Sequence, residues 1–125
     1  MEKKSVAVFH SVFALKRGVS EQEFLTAFDA FYNHLVTMGF ARGYRIMQRQ
    51  PLEGFGKSLP EFEYHAEIEF PGLAEEQACY EYVKRNEEPI RSIHRAMNSK
   101  LKVDLQTSFS RYALVTVPEH FLQGQ

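Results

Sequence analysis

The chain has 125 residues, of which 44% are apolar and 25% are charged, a composition typical of one globular domain and not of a disordered segment. Its 15 Lys and Arg residues nearly balance its 16 Asp and Glu residues, which leaves a net charge of −1. A protein this close to neutrality lacks the positive field that holds a nucleic-acid backbone or an acidic membrane surface, so neither is expected as a partner.

The first predicted element is a β-strand over residues 5–15. A signal peptide is the alternative, but His10 interrupts the apolar stretch and no small-residue cleavage site follows it. Both faces of the strand are mostly apolar, which is typical of a strand covered on both sides. Alternation places on one face Val6, Val8, His10, Val12 and Ala14, and on the other Ala7, Phe9, Ser11, Phe13 and Leu15.

The second predicted element is an amphipathic helix between Ser20 and Gly39. Ser20 and Glu23 form a capping box, in which two side chains satisfy free N–H groups at a helix start. Gly39 is a typical residue just beyond a helix end. Apolar residues at spacings of three and four predict one buried stripe, made of Phe24, Ala27, Phe28, Phe31, Leu35 and Met38.

Two further strands follow, with a loop between them. Residues 41–50 predict strand two, and the segment from Pro51 to Pro60, with two prolines and two glycines, predicts a loop. Residues 61–70 alternate between polar and apolar and predict strand three. Its core face carries Phe62, Tyr64, Ala66, Ile68 and Phe70, and its other face carries Glu61, Glu63, His65, Glu67 and Glu69.

The C-terminal half predicts two helical pieces and one strand. Helix two covers Leu73 to Asn86, and Pro89 interrupts it because proline cannot continue a helix. A further helical piece covers Ile90 to Asn98, and strand four covers Val103 to Arg111. The inside residues of helix two are expected to be Leu73, Cys79, Tyr82 and Val83.

The element order strand, helix, strand, strand, helix, strand predicts a ferredoxin-like βαββαβ fold of the α+β class. Right-handed crossovers place strands one and three at the centre of a four-stranded antiparallel sheet, with both helices on one face. The domain is expected over residues 1–112, with a tail over 113–125.

The other face of strand one is also apolar, and exposing it costs about 1.5–3 kcal/mol per valine-sized side chain. We therefore expect a second copy to cover it, as a homodimer.

A resemblance to a known superfamily starts at Val8 and runs to Phe24. This segment reads VFHSVFALKRGVSEQEF, a strand with a histidine, a turn and a helix start. It resembles the opening of the dimeric α+β barrel superfamily, in particular the stress-responsive A/B-barrel branch, and the pattern extends over residues 5–110. The resemblance implies the fold. It leaves the activity open, since the superfamily includes cofactor-free monooxygenases, dehalogenase- and isomerase-like enzymes, polyketide cyclases and proteins without a known reaction.

His10 and His65 are the candidate catalytic residues. Both lie on the face away from the helices, on neighbouring strands, and imidazole suits proton transfer near neutral pH. In polyketide-cyclase-like barrels, histidines at similar points line the cavity, and the resemblance carries this role over to His10 and His65 only. Such cyclases often have a further histidine after a proline of helix two. Here Arg91 stands at that place, and His94 follows three residues later.

Alternatives for the two histidines stay open. They can form a structural hydrogen-bonded pair at a dimer interface, or they can bind a ligand or transfer protons. Metal ligation with Glu63 or Glu67 is disfavoured because no close H-x-H or H-x-x-x-H spacing is present, so we expect no metal and no other cofactor. The candidate ligand-binding residues on the same face are Arg45, Arg49, Glu67 and Ser108.

Two other patterns are rejected. Gly56-Lys57-Ser58 resembles part of a phosphate-binding loop, but Pro51 occupies the position of its first glycine, and a strand rather than a helix follows. RNA-recognition domains share the element order, but the outer face of strand three, with four glutamates, repels phosphate.

The single cysteine, Cys79, excludes an internal disulfide and fits a reducing compartment. Its place in the middle of helix two, without a nearby histidine, favours a buried hydrophobic role over that of a nucleophile.

No apolar run approaches the roughly 20 residues of a membrane-spanning helix. We therefore expect a cytoplasmic protein.

The functional expectation is a dimer that binds a small organic molecule, aromatic or polyketide-like, in the cleft between its sheet and its partner. Whether it is an enzyme stays open; an enzyme of this kind would be monooxygenase-, isomerase- or cyclase-like. The alternative is a non-enzymatic, stress-related or structural dimer with a filled interface. A cavity of about 300 Å³ or more that faces both histidines favours ligand binding.

Overall fold

The computed structural model describes residues 6–50, 63–103 and 108–115. The predicted loop from Pro51 to Pro60 lies outside these ranges, and so do Glu61, Phe62 and residues 104–107 and 116–125. No helix in the described ranges is long and apolar enough to cross a membrane. The elements are β1 (Ala7–Leu15), α1 (Glu21–Thr37), β2 (Gly43–Gln48), β3 (Tyr64–Phe70), α2 (Leu73–Lys84), α3 (Ile90–Asn98), β4 (Leu101–Lys102) and β5 (Phe109–Ala113).

The strands form an antiparallel sheet in the order β2-β3-β1, with β4 and β5 both paired to the far edge of β1. At its centre, β1 and β3 are joined by seven residue pairs, from Ala7 opposite Phe70 to Phe13 opposite Tyr64. The predicted central position of strands one and three is therefore confirmed. So is the ferredoxin-like α+β class.

The predicted fourth strand, Val103 to Arg111, is wrong in its extent. Two short strands take its place, with Lys102 opposite Ala14 and Phe109 opposite Ser11. Between these pairs the C-terminal segment advances seven residues while β1 advances three. One continuous strand cannot keep its register across that difference, so the described sheet has five strands instead of four.

The first helix begins as its capping pattern predicts. The Glu23 N–H donates a hydrogen bond of 3.1 Å to Ser20 Oγ. At the other end, Gly39 has a φ of +87°, the left-handed conformation that follows many helices and that glycine adopts without strain. The buried face of α1 carries Phe24, Phe28, Phe31, Tyr32 and Leu35.

Two residues predicted inside the helix stripes are exposed instead. Met38 is 48% exposed because α1 ends at Thr37 and Met38 is its C-cap. Leu73 is 56% exposed at the first position of α2. The predicted interruption of the second helix is confirmed, since α2 ends at Lys84 and α3 begins directly after Pro89.

The core lies between the sheet and the three described helices. Its central ring is Phe24, which is fully buried. The ring centroids of Phe13, Phe28 and Tyr64 lie 5.3, 5.6 and 5.6 Å from that of Phe24. The strands supply alternate residues to this core: Ala7, Phe13, Tyr64, Ala66, Ile68 and Phe70.

The opposite side of the sheet, which we call the open face, carries the residues between those of the core. The strand registers assign to it His10 and Val12 of β1, Arg45 and Met47 of β2, His65 and Glu67 of β3, and Ser110 and Tyr112 of β5. The described helices pack on the other side. No helix in the described part of the chain therefore covers the open face.

Phe24→Ala tests the core. We expect the free energy of unfolding to fall by about 3–5 kcal/mol, because the change removes buried apolar surface and leaves a cavity. Chemical denaturation followed by circular dichroism measures this loss. The matched control is Leu73→Ala at an exposed position, which should change stability by less than about 0.5 kcal/mol. Similar losses for the two variants would contradict the position assigned to Phe24.

Candidate functional site

His10 and His65 meet on the open face. In the register of β1 and β3, His10 lies opposite Glu67 and His65 lies opposite Val12, so the two imidazoles are diagonal neighbours. His10 Nδ1 lies 2.7 Å from His65 Nε2, which is a hydrogen-bond distance. One nitrogen donates and the other accepts, so the two rings share one proton at this contact.

Glu67 lies beside both histidines. Its Oε1 is 3.6 Å from His10 Nδ1 and 4.0 Å from His65 Nε2. Its Oε2 accepts a hydrogen bond of 2.7 Å from Arg45 Nε, because Arg45 lies directly opposite on β2. This hydrogen bond holds the pKa of Glu67 below its usual value, so the carboxylate is ionised near neutral pH.

The surroundings of His10 keep its ring neutral near pH 7. Burial lowers the pKa of His10, the negative charge of Glu67 offsets part of that change, and the charges of His65 and Arg45 lower the pKa further. A neutral imidazole offers one N–H donor and one acceptor nitrogen.

A groove of about 410 Å³ lies against the histidine pair. Tyr112 approaches His10 edge-on there, with ring centroids 4.7 Å apart. Sequence analysis missed Tyr112, although its two-residue spacing from Ser110 was the available signal. The lining residues are His10, Val12, His65, Ser108, Ser110 and Tyr112.

The structure does not bring Arg49 and His94 into this group. The Arg49 N–H donates to the Glu63 carbonyl at 2.8 Å, past the end of β2. Arg49 is about 13 Å along the strand from Arg45 and does not line the groove. His94 lies on the core side, where its ring stacks on Phe31 with centroids 4.9 Å apart.

A second cavity, which we call the core-side pocket, lies on the opposite side of the sheet. It has a volume of about 370 Å³ between the sheet and the helices α1 and α2. Sequence analysis did not predict it, because a cavity depends on how side chains of separate elements fill the space between them. Its lining consists of Phe9, Phe31, Tyr32, Leu35, Ile68, Phe70, Glu76, Gln77, Cys79, Tyr80 and Val83.

Glu76 and Cys79 are two lining residues of the core-side pocket that carry an ionisable group. Glu76 Oε1 accepts a hydrogen bond of 2.7 Å from Arg111 Nη1. Its Oε2 is buried and has no hydrogen-bond partner among the described residues. Burial raises the pKa of the Cys79 thiol to about 12, so the sulfur stays protonated and is a poor nucleophile.

The sequence matches one protein family. Residues 6–113, which include all eight described elements, match a family of unknown function, DUF6614. The chain belongs to this family. No curated protein matches the sequence.

Solved structures share the fold at low sequence identity. A mutant of SnoaB, a cofactor-independent oxygenase from Streptomyces nogalater, matches with a TM-score of 0.64 and 7% identity, over 90% of this chain and 95% of that one. The hydroxynitrile lyase of Passiflora edulis matches with a TM-score of 0.61 and 12% identity, over 94% and 100% of the two chains. A dimeric ferredoxin-like protein of unknown function from Thermobifida fusca YX matches with a TM-score of 0.58 and 11% identity, over 90% and 93%.

These likenesses concern the fold alone. They confirm the fold implied by the resemblance to the dimeric α+β barrel superfamily. Function has to be argued from the residues of this chain, because one fold carries many unrelated activities.

The reactivity of Cys79 tests the burial of its thiol in the wall of the core-side pocket. With Ellman's reagent at about pH 8, we expect the folded protein to react roughly a thousandfold more slowly than an ordinary thiol. The reason is that burial raises the pKa from 9.0 to about 12, and only the thiolate reacts. Denaturant should restore the ordinary rate of this single cysteine. A fast reaction of the native protein would contradict the burial of this thiol.

Proposed function

We propose that the protein is a homodimer that binds a small, mainly apolar organic molecule in the core-side pocket. The observation that carries the proposal is a partly enclosed space of about 370 Å³ with mainly apolar walls, in which five of the eleven lining residues are aromatic. This volume lies within the usual range of small-molecule sites. This volume equals that of roughly a dozen water molecules, which suits a compound of one or two rings. Aromatic ligands are favoured because rings stack well on Phe9, Phe31, Tyr32, Phe70 and Tyr80.

Glu76 indicates the polar end of the ligand. One carboxylate oxygen is held by Arg111, and the other is buried without a hydrogen-bond partner among the described residues. A buried acceptor that lacks a donor is unfavourable by about 1–3 kcal/mol. Because this oxygen is buried from the pocket as well as from bulk water, a ligand hydroxyl or N–H group reaches it and removes this cost only when the Glu76 side chain turns into the pocket. The proposed ligand is an aromatic compound, and a hydroxyl or amine group on it would match Glu76 in that turned position.

This location differs from the cleft predicted between the sheet and a partner chain. Phe9 lines the core-side pocket, whereas His10, the next residue, lines the groove on the open face. A ligand in the core-side pocket therefore contacts neither His10 nor His65. Acid–base catalysis by the two histidines, with ligand contacts from Arg45, Arg49, Glu67 and Ser108, stays a prediction.

A second copy of the chain is the proposed cover of the open face. Met47 and Tyr112, two large apolar residues of that face, are exposed in the single chain, and burying such side chains stabilises by about 1.5–3 kcal/mol each. The structural relative from Thermobifida fusca YX is described as dimeric, which supports this arrangement. A protein that dimerises but binds nothing in its core-side pocket would be the structural dimer of the alternative hypothesis.

Ligand binding is tested with 2-naphthol, a flat aromatic compound with one hydroxyl group. Calorimetry should detect binding to the parent protein and a loss of at least about tenfold in affinity for Val83→Trp, a change of about 1.4 kcal/mol, because the indole fills the pocket. The control Leu73→Trp places the same ring on an exposed position of the same helix and should leave affinity unchanged. Equal affinity for both variants would contradict the site.

The dimer is tested by equilibrium sedimentation. We expect the parent protein to have twice the mass of one chain at micromolar concentration. Met47→Glu places a charge on the apolar part of the open face and should shift the equilibrium to the monomer, since an unpaired buried charge is strongly unfavourable. Leu73→Glu on α2 serves as the control and should remain dimeric. A parent protein that sediments as a monomer would contradict the proposal.

A further inference from the structure

Three potential metal ligands converge on the open face from two adjacent strands. His10 Nδ1, His65 Nε2 and a carboxylate oxygen of Glu67 all lie within 4.8 Å of one another. The separations are 2.7 Å between the two nitrogens, and 3.6 and 4.0 Å from these nitrogens to Glu67 Oε1. Ligand atoms around a tetrahedral zinc ion are about 3.3 Å apart, because each lies about 2.0–2.1 Å from the metal. Shifts of less than about 1 Å would bring all three to that spacing.

We infer that His10, His65 and Glu67 form a binding site for a divalent transition-metal ion of the zinc class. Two imidazole nitrogens and one carboxylate oxygen are a ligand set that suits Zn²⁺ and neighbouring first-row metals, whereas Mg²⁺ and Ca²⁺ prefer sites made of oxygen atoms alone. The site goes beyond the proposed function and lies on the other face of the sheet from the core-side pocket, so each can be tested independently of the other.

The backbone holds these ligands in place. His10 lies opposite Glu67 in the central pair of strands, and His65 precedes Glu67 by two residues on the same face. Side chains on paired strands are positioned more accurately than side chains on loops. The inferred site is therefore built on the central strand pair of the sheet.

Arg45 orients the Glu67 carboxylate. Its Nε donates to Glu67 Oε2 at 2.7 Å, which leaves Oε1 turned toward the two histidine nitrogens. Such partners fix the direction of a ligating side chain. The positive charge of Arg45 also offsets the negative charge of Glu67, so the expected affinity is lower than for a carboxylate without a cationic partner.

Two of the three inferred ligands, His10 and His65, line a groove. The groove of about 410 Å³ adjoins His10 and His65 and also carries Ser110 and Tyr112. Structural zinc sites have four protein ligands, whereas sites with three protein ligands keep a position for water or a small molecule. The inferred site is of the second kind.

Linear spacing did not predict this site. Only His65 and Glu67 are close in sequence, and His10 joins them through antiparallel pairing across 55 residues. The search for two histidines within a few residues therefore missed a set that the sheet assembles.

The test is a titration with CoCl₂ and ZnCl₂ after treatment with a chelator. Four-coordinate Co²⁺ absorbs visible light, so the expected result is one Co²⁺ per chain with a visible band that Zn²⁺ removes by displacement. Glu67→Gln keeps the shape of the side chain but weakens it as a ligand, and His10→Asn removes one nitrogen. Each should reduce Co²⁺ affinity by about a hundredfold or more, on the scale of changes around metal sites.

The controls separate this site from adventitious binding. Glu69→Gln lies on the same strand and the same face, and His94→Asn removes a histidine on the core side; both should bind Co²⁺ as the parent does. Circular dichroism verifies that each variant is folded. Absence of binding at about 1 mM Co²⁺, a very weak affinity, would overturn the inference. So would binding that Glu67→Gln and His10→Asn leave unchanged.

Discussion

The pairing of β1 with β3 is the constraint on which the other features depend. Seven residue pairs join the two strands, and alternation then assigns each of their side chains to one of two faces. The side chains of Phe13, Tyr64 and Ile68 face the helices and form part of the core. His10, His65 and Glu67 go to the other face. One face therefore provides apolar walls and the other provides nitrogen and carboxylate groups.

Local sequence patterns were sufficient to predict most of the fold. The alternation over Tyr64–Phe70 and the period of α1 each reflect neighbours within one element, so they can be read without the rest of the chain. The division of the last strand into β4 and β5 depends on how Lys102 and Phe109 match β1, which is a long-range relation. Met38 and Leu73 were assigned wrongly because periodicity no longer determines burial at the ends of a helix.

The candidate sites show the same limit. The predicted topology was sufficient to place His10 near His65, since both lie on central strands with the same parity. The position of Glu67 opposite His10 required the register itself. No pattern in the sequence predicts the core-side pocket. It is a space between separate elements, which side chains such as Phe9, Leu35 and Val83 line but do not fill. Structural relatives at 7–12% identity share the fold and leave these side-chain details undetermined.

Phe9 and His10 are adjacent in the sequence, yet each belongs to a different cavity. Deletion of one residue from β1 after His10 would shift the alternation of the residues that follow. Each of those side chains would then lie on the opposite face of the sheet. Apolar side chains would then lie on the open face, and polar side chains would enter the core. A change of length inside this strand therefore preserves both faces only when it involves two residues, or one residue with a bulge that restores the phase.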